Sequence, residues 1–199
     1  MLVQGIKSRP VYEGLAIDPH AKRHIFALEG EGALALIEQN PDPSALAHSE
    51  ILYTAGASRP KEHFATLSAL EADQCWLAPT VDTLLFRLRG SLTNATMGTR
   101  LYTSGTEGFI GRVVQLALDF GIDFHSIITE HRGSLARRVQ CVHCKGTTDD
   151  VTASPFTCSH CGLSLLVRDH YSRRLAAFQG VNIDAEEPGT APQSEELFP

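Results

Sequence analysis

The chain has 199 residues, 43% of them hydrophobic, and a formal net charge of -6. That length accommodates one ordinary core and a small appendage, because single cores settle at about 100–150 residues. The acidity argues against a general nucleic-acid binder, and the first twenty residues, broken by Pro10, Gly14 and Pro19, lack the apolar run of a secretory signal or membrane span, so a cytoplasmic location is expected.

From His24 onward the chain alternates strand-like and helix-like segments. HIFALEGEG reads as an apolar strand running into a glycine turn, ALALIEQN as a helix ending before Pro41, and EILYTAGAS as a second strand. PKEHFATLSAL sets Phe64, Leu67 and Leu70 at helical spacing, with Pro60 at a first-turn position. QCWLAPT is a third strand, and VDTLLFRLRGSL a helix with Leu84, Leu85 and Leu88 on one face and Arg87 and Arg89 outward. TRLYTSG is a fourth strand. FIGRVVQLALDF follows as a helix striped by Phe109, Val113, Leu116, Ala117 and Phe120 and closed at Gly121, and SIITEH supplies the last strand. Repeated strand–helix–strand units need right-handed crossovers and a mainly parallel sheet covered on both faces, which predicts a doubly wound α/β domain.

The expected organisation is an N-terminal extension over 1–23, the α/β domain over 24–130, a cysteine module over 131–181 and an acidic tail over 182–199. GLSLLVRDHY and RRLAAFQGV read as the hairpin of that module, separated by Ser172 and a basic turn. The tail holds Pro188, Pro192 and Pro199, cannot form a core alone, and is expected to be disordered or laid along a partner, with Leu197 and Phe198 favouring docking.

Cys141, Cys144, Cys158 and Cys161 form two C-x-x-C units thirteen residues apart. Each unit lets two thiolates from one tight turn grip an ion at roughly 2.3 Å, and two units complete a tetrahedral S4 shell. In a reducing compartment such pairs are metal knuckles and not disulfides. Zinc is the expected ion, with iron in a rubredoxin-like site as the alternative. Four thiolates leave no position for water or substrate, so the ion is structural. Gly146 and Gly162 stand at the knuckle exits, His143 and His160 are read as surface residues, and Cys75 as a small buried side chain. None of the scattered histidines has a catalytic spacing, so no catalytic residue is expected.

Residues 99–130 resemble the end of the nucleotide-binding domain of ferredoxin-reductase-type flavoproteins, through the turn at Ser104, Gly105 and Thr106, the Gly108–Phe109 helix start and the final Glu130. If a nucleotide binds, Gly30, Gly32, Ser104 and Gly105 are the residues expected to meet it. Glu29 and Glu31 beside those glycines would repel its phosphates. Taken whole, through MGTRLYTSGTEGFIG, TEHRGSLARRVQCVHCKG, CSHCG and LVRDHYSRRLAAFQGV, the chain resembles the small-subunit family of bacterial dimethylamine (secondary amine) monooxygenase. That resemblance implies a multi-subunit enzyme dependent on NADPH and O2, converting dimethylamine to methylamine and formaldehyde, with FMN, iron–sulfur and haem groups in reductase and haem partner subunits. This chain would bridge or stabilise those subunits without an active site of its own; the alternative is a nucleotide- or small-molecule-binding subunit that modulates electron transfer. Arg132, Arg137, Arg138, Arg168, Arg173 and Arg174 are expected to form a basic face that docks on an acidic partner, in preference to a nucleic-acid surface, which would need exposed stacking aromatics. No membrane contact is expected.

Overall fold

The computed structural model describes residues 8–56 and 61–199. Pro60 and residues 1–7 lie outside them. The described chain divides into two compact units, one of residues 12–133 and one combining residues up to 11 with 134–199.

The first unit carries five strands: β1 (Arg23–Glu29), β2 (Ser49–Thr54), β3 (Gln74–Ala78), β4 (Thr99–Gly105) and β5 (Ile127–His131). All pair in parallel, in the order β3-β2-β1-β4-β5. Between them run α1 (Leu34–Ile37), α2 (Lys61–Ser68), α3 (Val81–Thr93) and α4 (Glu107–Asp119). Strand side chains alternate between faces, so successive residues of β1 serve two cores. Ile25 and Ala27 pack with Leu84 and Leu88 of α3 and with Phe109 and Val113 of α4. Phe26 and Leu28 pack with Leu36 of α1 and Leu67 of α2. Helices therefore cover both faces, the doubly wound α/β arrangement that the alternation of segments predicts. Each fully buried leucine of α3 removes enough apolar surface from water to contribute about 1.5–3 kcal/mol.

Helix ends follow local chemistry. Thr80 caps α3 by accepting from the amide of Thr83, and Thr106 caps α4 by accepting from that of Phe109. Gly121 takes a left-handed φ of 75° just beyond α4, as its sequence position predicts. The predicted first helix is shorter: a 3-10 turn over Gly30–Ala33 precedes α1, which stops at Ile37, and Asn40 turns the chain at a left-handed φ of 43° before Pro41.

The second unit contains β6 (Arg137–Cys141), β7 (Thr147–Val151), β8 (Ala153–Ser154), β9 (Phe156–Thr157), β10 (Ser164–Ser172), β11 (Ala177–Asn182) and β12 (Glu195–Glu196). Five of these form a sheet in the order β7-β6-β11-β10-β9, with β10 and β11 as the predicted antiparallel hairpin. The start of the described chain joins the same unit. Ser8 bridges His170: its amide donates to the Asp169 carbonyl and its carbonyl accepts from the Tyr171 amide, both at 2.9 Å.

The acidic tail differs from its expected disorder or partner contact. β12 pairs antiparallel with β8 of its own unit, and Phe198 stacks on the guanidinium of Arg137 at 4.0 Å, opposite Phe178 at 4.1 Å. Main-chain pairing and this cation–π sandwich supply the docking energy that the tail's composition lacks. No helix among the described residues is long and apolar enough to cross a membrane.

Candidate functional site

Two places among the described residues gather the site residues expected from the sequence: the four cysteines, and the crevice at the carboxyl ends of β1 and β4 where the strand order reverses.

The four Sγ atoms lie within 4.8 Å of one another, with Cys141–Cys161 at 3.9 Å and Cys144–Cys158 at 3.8 Å. A tetrahedron with metal–sulfur bonds of about 2.3 Å has edges of about 3.8 Å, so the cage already has the dimensions of an S4 site. The two knuckles share one backbone pattern. Lys145 N–H donates to the Cys141 carbonyl and Gly162 N–H to that of Cys158, each at 3.0 Å. Each turn closes when Gly146 and Leu163 carbonyls accept from the amides of Cys141 and Cys158, at 2.9 Å.

The equivalence exposes a feature that sequence reading missed. The left-handed residue after the first knuckle is Lys145, at φ 64°, matching Gly162 at φ 76° in the second. Gly146 is needed for space instead, since a Cβ there would overlap the His160 ring. Gly146 N–H also points to Cys144 Sγ at 3.4 Å, offsetting thiolate charge. His143 and His160 are exposed, as expected, and a ring nitrogen of His160 lies 2.9 Å from the Thr147 carbonyl.

The thiols are unlike one another. Burial alone would raise Cys158, but backbone N–H groups of His160 and Cys161 and the neighbouring thiols pull it down to about 7. Cys161 is pushed up to about 12: its bond from Leu163 N–H lowers it, and burial with the surrounding sulfurs more than reverses that. Negative charge on one sulfur thus opposes charge on the next, and a cation at the centre relieves the conflict. The donor set fits a structural ion with four thiolate ligands, and Cys141 and Cys158 are themselves almost wholly buried.

Among the described residues, the Glu29 carboxylate reaches into the crevice. At such a reversal point a helix N-terminus and small residues ordinarily meet a phosphate. Here the Glu29 carboxylate accepts from the Thr106 amide at 3.1 Å and from its hydroxyl at 2.7 Å. Gly105 and Gly56 leave room for that side chain: a Cβ at Gly105 would come within 2.8 Å of Glu29 Cβ, and one at Gly56 within 2.9 Å of its Cγ. Gly32 sits so close to the Ser104 carbonyl that a Cβ would overlap it. The hydroxyls of Thr54, Thr103 and Ser104 are sealed beneath, without hydrogen-bond partners among the described residues. Gly32, Ser104 and Gly105 are thus brought together beside the Glu29 carboxylate, with Gly30 next to it in the chain. Glu31, the second predicted repulsive charge, is exposed. Glu130 holds the Leu15 amide at 2.7 Å and Arg132 at 2.6 Å.

The family described as dimethylamine monooxygenase subunit DmmA-like matches the chain in two parts, its N-terminal domain over residues 4–127 and its C-terminal domain over residues 138–181. The chain belongs to that family. The DmmA-like chain is also 36% identical over 110 residues to a protein of Ectopseudomonas mendocina (strain ymp) described as the heme-dependent oxidative N-demethylase delta subunit. That match takes in 55% of this chain and 63% of the relative. Among solved structures it is similar to full-length CYP116B46 from Tepidiphilus thermophilus, at 16% identity and TM-score 0.45, over 68% of this chain and 19% of that one. It is similar also to a flavohemoglobin from Malassezia yamatoensis with bound FAD and heme, at 18% identity and TM-score 0.41, over 60% and 33%.

Three of the arginines expected on a basic face are paired with acids of their own unit in the DmmA-like chain. Arg132 belongs to the α/β unit, where it pairs with Glu130 and Glu38. Arg137 is buried, holding Asp169 at 2.9 Å between its two aromatic rings, and Arg138 pairs with Asp149 at 2.7 Å. Charges separated along a strand are neutralised by acids the sheet brings beside them, a pairing that linear spacing does not display.

Proposed function

We propose that the chain is a small, non-catalytic interaction component of a multi-subunit oxidative N-demethylase, one that acts on dimethylamine with NADPH and O2 supplied through partner subunits. Its family membership and its likeness to a delta subunit support the assembly. One observation carries the non-catalytic role: both places suited to chemistry are satisfied from within, the cysteine cage by its own four sulfurs and the crevice by Glu29. In this reading Cys141, Cys144, Cys158 and Cys161 hold zinc, which shapes the smaller unit. The flavin, iron–sulfur and haem groups belong to the reductase and haem subunits, which this chain bridges or stabilises in the cytoplasm.

The test is reconstitution from separately purified subunits. Without this chain, NADPH oxidation with an artificial acceptor should persist in the reductase while dimethylamine-dependent formaldehyde release falls sharply. Undiminished formaldehyde release would sink the bridging role, and saturable micromolar NADPH binding by the isolated chain would favour the nucleotide-binding alternative.

A further inference from the structure

The end of the α/β sheet opposite the Glu29 crevice carries a second feature, unrelated to the cysteines or the subunit role. A cavity of about 590 Å³ opens at the amino end of β1, within the size range of small-molecule sites. Its walls include Ile17, Pro19 and Ala45; its polar lining is Lys22, His24, Ser44 and His48, of which Lys22 brings a full positive charge, and no acid among the described residues lines it.

His24 is the unusual member. It sits in the apolar run of β1 and is only 5% exposed. Burying an imidazole without use is unfavourable, and burial holds its pKa below the ordinary value, so near neutrality the ring is an uncharged donor and acceptor. Nδ1 lies 3.0 Å from the hydroxyl of Tyr102, which also accepts from the Asp18 amide at 3.0 Å. That pairing fixes the ring and leaves Nε2 as its remaining polar atom. Lys22 is exposed at the rim and forms no ion pair among the described residues. The nearby acids are already paired: Asp18 with Arg100 at 2.9 Å, Asp42 with Ser44 of the lining itself at 2.7 Å, and Asp73 with His48 of the lining at 3.8 Å.

We propose that this cavity binds a small organic anion, its charged head between Lys22 and His24 and its aliphatic body against Ile17, Pro19 and Ala45. The Lys22 ammonium, with the uncharged His24 ring beside it and no lining acid among the described residues, favours negative charge, and the apolar wall favours an aliphatic body over a fully hydrated inorganic ion.

Octanoate is a suitable probe, with octanamide as its uncharged counterpart. Both are titrated calorimetrically into the zinc-loaded full-length chain, while the His24 ring nitrogens are followed by NMR. Octanoate should bind one to one and shift the His24 resonances, and octanamide should bind at least about tenfold more weakly, the effect of losing one charge-assisted hydrogen bond. Lys22→Gln, at an exposed position, should weaken octanoate by a similar factor, and Ala45→Phe should abolish binding by filling the wall. If Ala45→Phe fails to fold, Lys22→Gln decides alone. Equal affinity for octanoate and octanamide, unchanged affinity in Lys22→Gln, or no saturable binding of octanoate would each overturn the proposal.

Discussion

Glu29 reaches from the carboxyl end of β1 to Thr106 at the start of α4 and accepts from both its amide and its hydroxyl. A carboxylate at that position meets the positive end of the helix dipole and satisfies an N–H that has no partner within the helix. Glu29→Ala should therefore lower the stability of the α/β unit by about 1–3 kcal/mol, read as a lower urea midpoint. Glu29→Gln should recover part of that loss, since an amide oxygen still accepts. An unchanged midpoint in Glu29→Ala would show that the contact is idle.

Cys144→Ser should remove the bound ion, because a neutral hydroxyl is a poor fourth ligand beside three thiolates. Metal binding by such cages contributes on the order of 10 kcal/mol to folding. Elemental analysis should show metal lost from the variant, and amide exchange should rise across residues 137–182 while β1 to β5 keep their protection. Equal metal content in wild type and variant would contradict the ligand assignment.

Phe198→Ala should loosen the tail from the smaller unit. It removes one side of the Arg137 sandwich, a loss of about 1–2 kcal/mol for a partly desolvated cation–π contact. Faster exchange should appear at the amides of Leu197 and Phe198, which donate to the Thr152 carbonyl at 2.9 and 2.8 Å.

His24 predicts a pH dependence. Its folded pKa lies below the ordinary 6.5 because burial disfavours the imidazolium, so below 6.5 the unfolded chain binds a proton that the folded chain refuses. Stability from this group is complete above 6.5 and declines as pH falls from there toward the folded value. Urea unfolding of wild type and His24→Gln at about pH 7.5 and 5.5, on either side of the ordinary imidazole value, checks it: the wild type should lose more stability over that interval. Equal losses would assign the slope to other groups.

The α/β sheet was legible because its signals are local. The apolar runs of β1, β2 and β4, the stripe of α4 and the stop at Gly121 each sit within a few residues of one another. The cysteine spacing was legible for the same reason. Hidden from the sequence was whatever depends on a partner far along the chain. Glu29 and Thr106 are 77 positions apart, and Glu29 reads as a charge repelling a ligand until the fold shows it standing in the ligand's place. Arg137 reads as a surface cation until β10 brings Asp169, β11 brings Phe178 and the tail brings Phe198. His24 looked ordinary because nothing beside it announces Tyr102. β6 and β7 went unseen because their alternation is short, with few apolar residues.

The pairing of Ser8 with His170 bears on how the protein is made. On a ribosome Ser8 emerges before, and His170 after, everything needed for the five-stranded parallel sheet. The larger unit can close while the nascent chain is still growing, before the cysteine unit is complete. A clone that starts at Tyr12 would lack this contact with β10, and the missing pieces could be tested by supplying residues 1–11 as a separate peptide.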